Sequence, residues 1–129
     1  MSTTTQAPAA TPAASLASSA AFRAFAVVFA ITTPVIYVIC EMANLPLFTY
    51  HPGTGRIDLG WAAAVKGEGP AMYWYGWNAV TLLGAAGFGL IAAKLPESAT
   101  RKIPLWLVWV MPLATIPVLI YALRFFWRW

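Results

Sequence analysis

An uncharged apolar stretch in the middle of the chain, residues 71–93, constrains the fold more than any other feature. It reads AMYWYGWNAVTLLGAAGFGLIAA and contains no Asp, Glu, Lys or Arg. A helix that crosses the hydrocarbon core of a bilayer needs about 20 predominantly apolar residues. Residues 71–93 are therefore predicted to form a membrane-spanning helix.

Small residues lie on two opposite faces of this predicted helix. When residues are placed at about 100° intervals around the helix axis, one stripe contains Tyr73, Gly76, Val80, Gly84, Gly87 and Ile91, and the opposite stripe contains Trp74, Asn78, Thr81, Ala85 and Gly89. Helices in lipid pack closely over glycine and alanine. We therefore expect a central helix with a neighbour on each side, packed at Gly76, Val80, Gly84, Gly87, Ala85 and Gly89.

The composition supports lipid as the solvent. Hydrophobic residues make up 60% of the 129-residue chain and charged residues 9%, whereas soluble domains carry about 25% charged residues. Two further apolar segments, 20–42 and 103–126, are long enough to span a bilayer. The predicted fold is an all-α integral membrane protein with three transmembrane helices in a domain of residues 20–129. Residues 1–19 are mainly Ala, Thr, Ser and Pro and are predicted to be disordered.

The loop at residues 43–70 is predicted to be structured. Residues 47–50 and 56–59 resemble short strands, and the intervening sequence HPGTG has strong turn chemistry. An isolated hairpin is marginally stable in water, so we expect it to lie on the helices or on a partner.

Charged residues at this end of the molecule are predicted to form a polar loop cluster of Glu41, Arg56, Asp58 and Lys66, and Glu68 and His51 are expected on the same side. A Glu41–Arg56 or Asp58–Lys66 ion pair would hold the loop in place. Proton uptake by the same groups is the alternative interpretation.

Groups that could perform chemistry are few. The chain has one histidine, His51, and one cysteine, too few for a tetrahedral metal site without carboxylates or a second chain. No ionisable group lies deep within a predicted span, whereas proton and ion pathways usually contain one. The sequence predicts a protein that is not an enzyme, with no catalytic residue, metal or cofactor of its own.

An aromatic cluster opens the central predicted span and includes Tyr73, Trp74 and Trp77. Aromatic rings at this depth are typical of an interfacial belt. The alternative is that these residues and His51 bind a quinone, a haem or a pigment.

Basic residues are scattered singly near the ends of the predicted spans, and no basic-aromatic interleaving indicates nucleic-acid binding. The short loop at residues 94–102 has three basic residues close to helix ends. The positive-inside rule then favours a cytoplasmic N-terminus, with loop 43–70 and the C-terminus in the periplasm. The predicted location is the bacterial inner membrane.

Taken together, these features predict a non-catalytic accessory subunit of a larger bacterial membrane complex, respiratory or photosynthetic. Its expected partners are other integral membrane subunits or further copies of itself, in contact with the lipid bilayer. The alternative function is a membrane protein that binds a quinone, haem or pigment at the aromatic cluster.

Overall fold

A computed structural model describes residues 19–124. The elements in chain order are α1 (Ala20–Met42), β1 (Phe48–His51), β2 (Arg56–Leu59), α2 (Trp74–Lys94), α3 (Glu97–Thr100) and α4 (Leu107–Ala122). The fold is mostly helical, with one small two-stranded sheet between the two longest helices. The predicted disorder of residues 1–18 and the predicted helix end at residues 125–126 lie outside the described residues.

Helix α1 occupies the same residues as the first predicted span. The Ser19 side chain caps it by accepting a hydrogen bond from the Phe22 N–H at 3.0 Å. The helix continues through Pro34, which lacks the N–H of a normal helical residue. The neighbouring Thr33 hydroxyl donates to the Phe29 carbonyl oxygen at 2.6 Å. Side-chain hydrogen bonds to helix carbonyls are one of the ways in which spanning helices accommodate proline.

Helix α4 is shorter than the span predicted for it, whereas α1 and α2 have the expected lengths. Helices α1 and α2 are long and apolar enough to cross a membrane, with mean hydropathies of 2.0 and 1.4. The third predicted span, 103–126, corresponds to the 16-residue helix α4. At 1.5 Å per residue this helix is about 24 Å long, less than the hydrocarbon core of about 30 Å. A turn that includes the hydrogen bond from Leu107 N to Pro104 O leads into it.

The order in which the helices pack differs from the prediction. Helix α1 contacts both α2 and α4, and no comparable contact joins α2 to α4 within residues 19–124. The middle helix is therefore α1, and the prediction that residues 71–93 form the central helix was wrong. Small residues on two faces indicate where a neighbour can approach closely, but they do not show which helix of the chain will do so.

The interface between α1 and α2 is built from small residues. On α2, Ala85 is completely buried and Gly89 and Ala92 are also buried. On α1, Ala24 and Cys40 are buried. Close approach of two backbones across such residues is the usual way in which helices associate in lipid.

The predicted hairpin is present, with its first strand one residue later than expected. Strands β1 and β2 pair antiparallel with Tyr50 opposite Ile57 and His51 opposite Arg56. The hairpin rests on the start of α2, where Tyr50 N donates to Met72 O at 3.2 Å and Met72 N donates to Tyr50 O at 2.9 Å. The expectation that the hairpin lies on the helices is confirmed for these contacts with α2.

Candidate functional site

The hairpin has one polar and one apolar face, because side chains alternate along a strand. Thr49 and His51 point to the polar face and are fully buried. The Thr49 hydroxyl donates to Gly60 O at 2.8 Å and accepts from Ala62 N at 3.1 Å. These bonds hold the segment after β2 over the polar face, while the apolar face contacts α2 through the edge-to-face pair Tyr50–Tyr75.

A compact ion cluster lies on the polar face. His51 Nε2 is 3.1 Å from Asp58 Oδ2, and His51 Nδ1 is 3.5 Å from Glu68 Oε2. Arg56 reaches the same two carboxylates, at 2.6 Å from Asp58 and 2.8 Å from Glu68. The loop after β2 is thereby tied to the hairpin by one histidine, one arginine and two acids.

The charges in this cluster stabilise one another. The hydrogen bond from the Arg56 guanidinium holds the pKa of the Asp58 carboxyl below its usual value. The same bond raises the pKa of Arg56. Both groups are therefore fixed in their charged forms at neutral pH, as expected for a structural ion pair.

Only part of the predicted polar loop cluster comes together. Arg56 and Asp58 are paired, since residues two apart on a strand share a face, but neither of the predicted partners is used. Among residues 19–124, Glu41 and Lys66 form no ion pair with either of them. Lys66 lies in the exposed loop and Glu41 at the end of α1, and Glu68 takes the second position beside Arg56.

The rings of the predicted aromatic site stack on other aromatic rings of the chain. Tyr73 stacks between Trp61 and Trp77, with ring centroids 6.3 Å away on each side. Its hydroxyl donates to the Ala62 carbonyl at 3.1 Å. Trp74 stacks on Tyr75 with centroids 3.8 Å apart. These contacts attach the loop to the start of α2.

His51 does not face this aromatic cluster. Its imidazole is fully buried between Asp58 and Glu68, whereas Tyr73 stacks on Trp77 and Trp74 stacks on Tyr75. The four residues predicted to hold a cofactor thus belong to three separate groups of contacts. Their proposed binding role stays a prediction.

The predicted helix-packing positions on α2 separate into different environments. Gly76 lies against the backbone of Phe48 and the Pro46 side chain. Gly89 lies against the Phe25 ring, where an added Cβ atom would be 2.7 Å from Cδ2. A Cβ atom at Gly84 would be 3.2 Å from Ile36 Cδ1. These three glycines, together with the buried Ala85, are covered within the chain.

The other side of α2, which we call the outer face, comprises Val80, Leu83, Gly87, Leu90 and Ile91. Leu83, Leu90 and Ile91 are exposed, and Val80 and Gly87 are partly exposed. A Cβ atom added at Gly87 would meet nothing within 4 Å among the described residues outside its own helix. Leu83 and Ile91 are 65% and 60% exposed. The outer face is thus an apolar surface with a gap at its centre, next to side chains that could enclose an approaching helix.

Thr49 of the hairpin was not identified as a site residue from the sequence pattern. Hydroxyl residues are common in strands, although its position two residues before His51 places both on one face. Glu68 was expected on the same side as His51 and Arg56, but it lies in an irregular loop, so no periodicity predicted its contact with Arg56.

No known protein family matches the chain, and no curated protein or solved structure shows significant similarity to it.

Proposed function

We propose that the chain is an integral membrane protein that crosses the bilayer three times and serves as a non-catalytic accessory subunit of a larger bioenergetic complex. The observation that carries this proposal is the outer face of α2. Gly87 lies in the middle of an apolar helix, and within residues 19–124 no other part of the chain comes within 4 Å of a Cβ atom added there. Close backbone approach over glycine is a main source of helix association in lipid. The proposed occupant is a spanning helix of another subunit or of a second copy.

The hairpin supports a structural assignment. Its buried histidine and both carboxylates contact one another or Arg56, so these groups stabilise the loop. A loop held in this way would present a fixed surface at the end of the helices, as a subunit that docks within a complex requires.

The three-span topology rests on α1, α2 and the shorter α4. Three crossings place the two chain ends on opposite sides of the membrane, and we propose a cytoplasmic N-terminus in the bacterial inner membrane with the hairpin in the periplasm. Cysteines introduced singly at Thr54 and Ser98, each in a Cys40→Ala background, test this topology. A membrane-impermeant thiol reagent applied to intact spheroplasts should label position 54 and spare position 98.

Assembly is tested by purification from native membranes in mild detergent. The wild-type chain should migrate above its monomer mass, and Gly87→Leu should shift it to the monomer because leucine fills the gap. Leu82→Ile, which changes side-chain shape outside the outer face, is the matched control and should leave migration unchanged. A wild-type chain that migrates as a monomer would contradict the proposal.

A further inference from the structure

The three long helices leave an apolar cleft of about 460 Å³ between them. Its walls come from all three, including Phe29 and Pro34 of α1, Leu82 of α2 and Pro112 of α4. Binding sites for small organic molecules have volumes of roughly 300–1,000 Å³ and are mainly apolar with a few convergent polar groups. The cleft has this size and this general character.

The polar groups of the cleft fall into two classes. The hydroxyls of Thr33 and Thr115 are engaged, since each donates to a carbonyl of its own helix at 2.6 Å. Tyr37, Asn78 and Thr81 also line the cleft, and each retains at least one group able to donate a hydrogen bond.

The hydroxyl of Thr81 is the most deeply buried of these groups. The residue is 2% exposed, and no oxygen or nitrogen within residues 19–124 bonds to its Oγ1. The Cys40 thiol is a neighbour, but sulfur is a weak hydrogen-bonding partner. The Thr81 hydroxyl is thus enclosed beside Cys40 in the contact between α1 and α2, and the groups that a molecule in the cleft can reach are Tyr37 and Asn78.

Tyr37 and Asn78 lie closer to the hairpin end of the cleft. No hydrogen bond from the Tyr37 hydroxyl is present among the described residues. Asn78 Nδ2 donates one N–H to Trp74 O at 2.9 Å, and its second N–H is available. Glu41, one turn after Tyr37 on the same side of α1, has a buried Oε2 atom with no hydrogen-bond donor in the described part of the chain. The unsatisfied polar groups are therefore concentrated near one membrane surface.

This arrangement selects a ligand class. The two available donors, Tyr37 and Asn78, favour a ligand with carbonyl acceptors, and the apolar remainder of the cleft favours a flat ring and a hydrocarbon tail. Haem and chlorophyll are less suitable, because the one histidine of the chain is buried in the hairpin cluster rather than in the cleft.

We propose that the cleft binds a prenylated quinone. A ring carbonyl accepts from Tyr37 or Asn78, and the isoprenoid tail follows Phe29 and Leu82 toward the lipid. This site differs from the aromatic cluster considered above and does not depend on assembly through the outer face of α2. The proposal concerns binding and includes no electron transfer.

The test uses the full chain in lipid nanodiscs with an azido-substituted benzoquinone as photoaffinity probe and decylubiquinone as competitor. Labelled peptides should come from residues 30–37 and 78–82. Decylubiquinone should abolish the labelling, and decylbenzene, which has the same tail and no carbonyl, should not. Labelling confined to residues 73–77, or equal competition by both compounds, would overturn the proposal.

Substitution of single polar side chains provides the second measurement. Tyr37→Phe and Asn78→Leu should each weaken decylubiquinone competition by about threefold to tenfold, the range expected for one lost neutral hydrogen bond. The matched control is Tyr75→Phe, a hydroxyl at the same end of the helices but outside the cleft, and it should have no effect. Equal affinities for all three variants would contradict the proposed carbonyl contacts.

A helix from a partner is the competing occupant. In the native complex, a photo-crosslinker at Ala30, which lines the cleft, should yield no adduct with another polypeptide if the quinone occupies it. A polypeptide adduct at this position together with absent quinone labelling would show that the cleft is a protein interface and would overturn the proposal.

Discussion

The two sides of α2 contain similar residues and differ in what covers them. On the inner side, Ala85 and Gly89 are buried against α1, with the Phe25 ring directly over Gly89. On the outer side, Gly87 is two residues away and faces nothing within the described chain. The comparison shows that a small residue in an apolar helix permits close approach, while the fold of the chain decides at which small residues a neighbouring helix of the chain lies.

The largest effect is expected from filling the inner side. Gly89→Leu should destabilise the isolated protein by about 2–3 kcal/mol, because the new side chain must displace the Phe25 ring and the Phe25 carbonyl oxygen 3.1 Å from the added Cβ. The measurement is denaturant unfolding of the purified protein in mild detergent. A loss below about 0.5 kcal/mol would show that α1 and α2 are not closely packed at this position.

Gly87→Leu, two residues before Gly89, should weaken assembly rather than the folding of the isolated protein. Gly87→Leu should change the unfolding free energy of the isolated protein by less than about 0.5 kcal/mol, as surface substitutions usually do. It should nevertheless weaken association with the partner by at least tenfold, measured by native-gel titration or subunit exchange. If Gly87→Leu and Gly89→Leu destabilise the isolated chain equally, the distinction between the two sides is wrong.

Acid should destabilise the hairpin while leaving the packing of α2 unchanged. The Asp58 carboxylate is favoured in the folded state because Arg56 lowers its pKa. Its stabilising contribution is therefore present above the unfolded pKa, near 4, and is lost as the pH falls through the lower folded value. The hydrogen-exchange protection factors of the β1 and β2 amides, which are corrected for the slower intrinsic exchange in acid, should fall below about pH 4, while the α1–α2 interface stays protected. Simultaneous loss of protection in the helices would show that the hairpin and the helix interface are one cooperative unit.

The smallest effect is expected at Gly84, between the inner and outer sides. A Cβ atom here would be 3.2 Å from Cδ1 of Ile36, the movable end of a side chain. The cost of this contact should be offset by the better helix propensity of alanine, which is worth up to about 1 kcal/mol. Gly84→Ala should therefore change the unfolding free energy by less than about 0.5 kcal/mol. A cost comparable to that of Gly89→Leu would place Gly84 in the rigid interface.

The sequence was sufficient for the elements that depend on local composition. An unbroken apolar segment determines a helix in lipid, and α1 runs from Ala20 to Met42 as predicted. The turn residues 51–55 specify a reversal, and the hairpin formed with its second strand in the predicted place. In both cases a few neighbouring residues contain the physical cause.

The features that were missed depend on residues distant in the chain. Whether α1 or α2 is the middle helix depends on how α4 folds back, which helical periodicity does not encode. His51 was expected as a turn residue or a ligand, on the same side as Asp58 and Glu68, but its position between these two acids results from strand pairing and from an irregular loop. The cleft lined by Tyr37 and Thr81 requires three helices at once, so no single stripe of residues could predict it.

The most direct test of the central proposal is a site-specific crosslink from the outer face of α2. A benzophenone side chain placed at Leu83, on the same face as Gly87, should form an adduct with a second polypeptide when native membranes are irradiated. Adding Gly87→Leu to the same chain should abolish that adduct while the protein remains folded. Adducts with lipid alone, or a polypeptide adduct that Gly87→Leu leaves unchanged, would contradict the account of the outer face as a helix-docking surface.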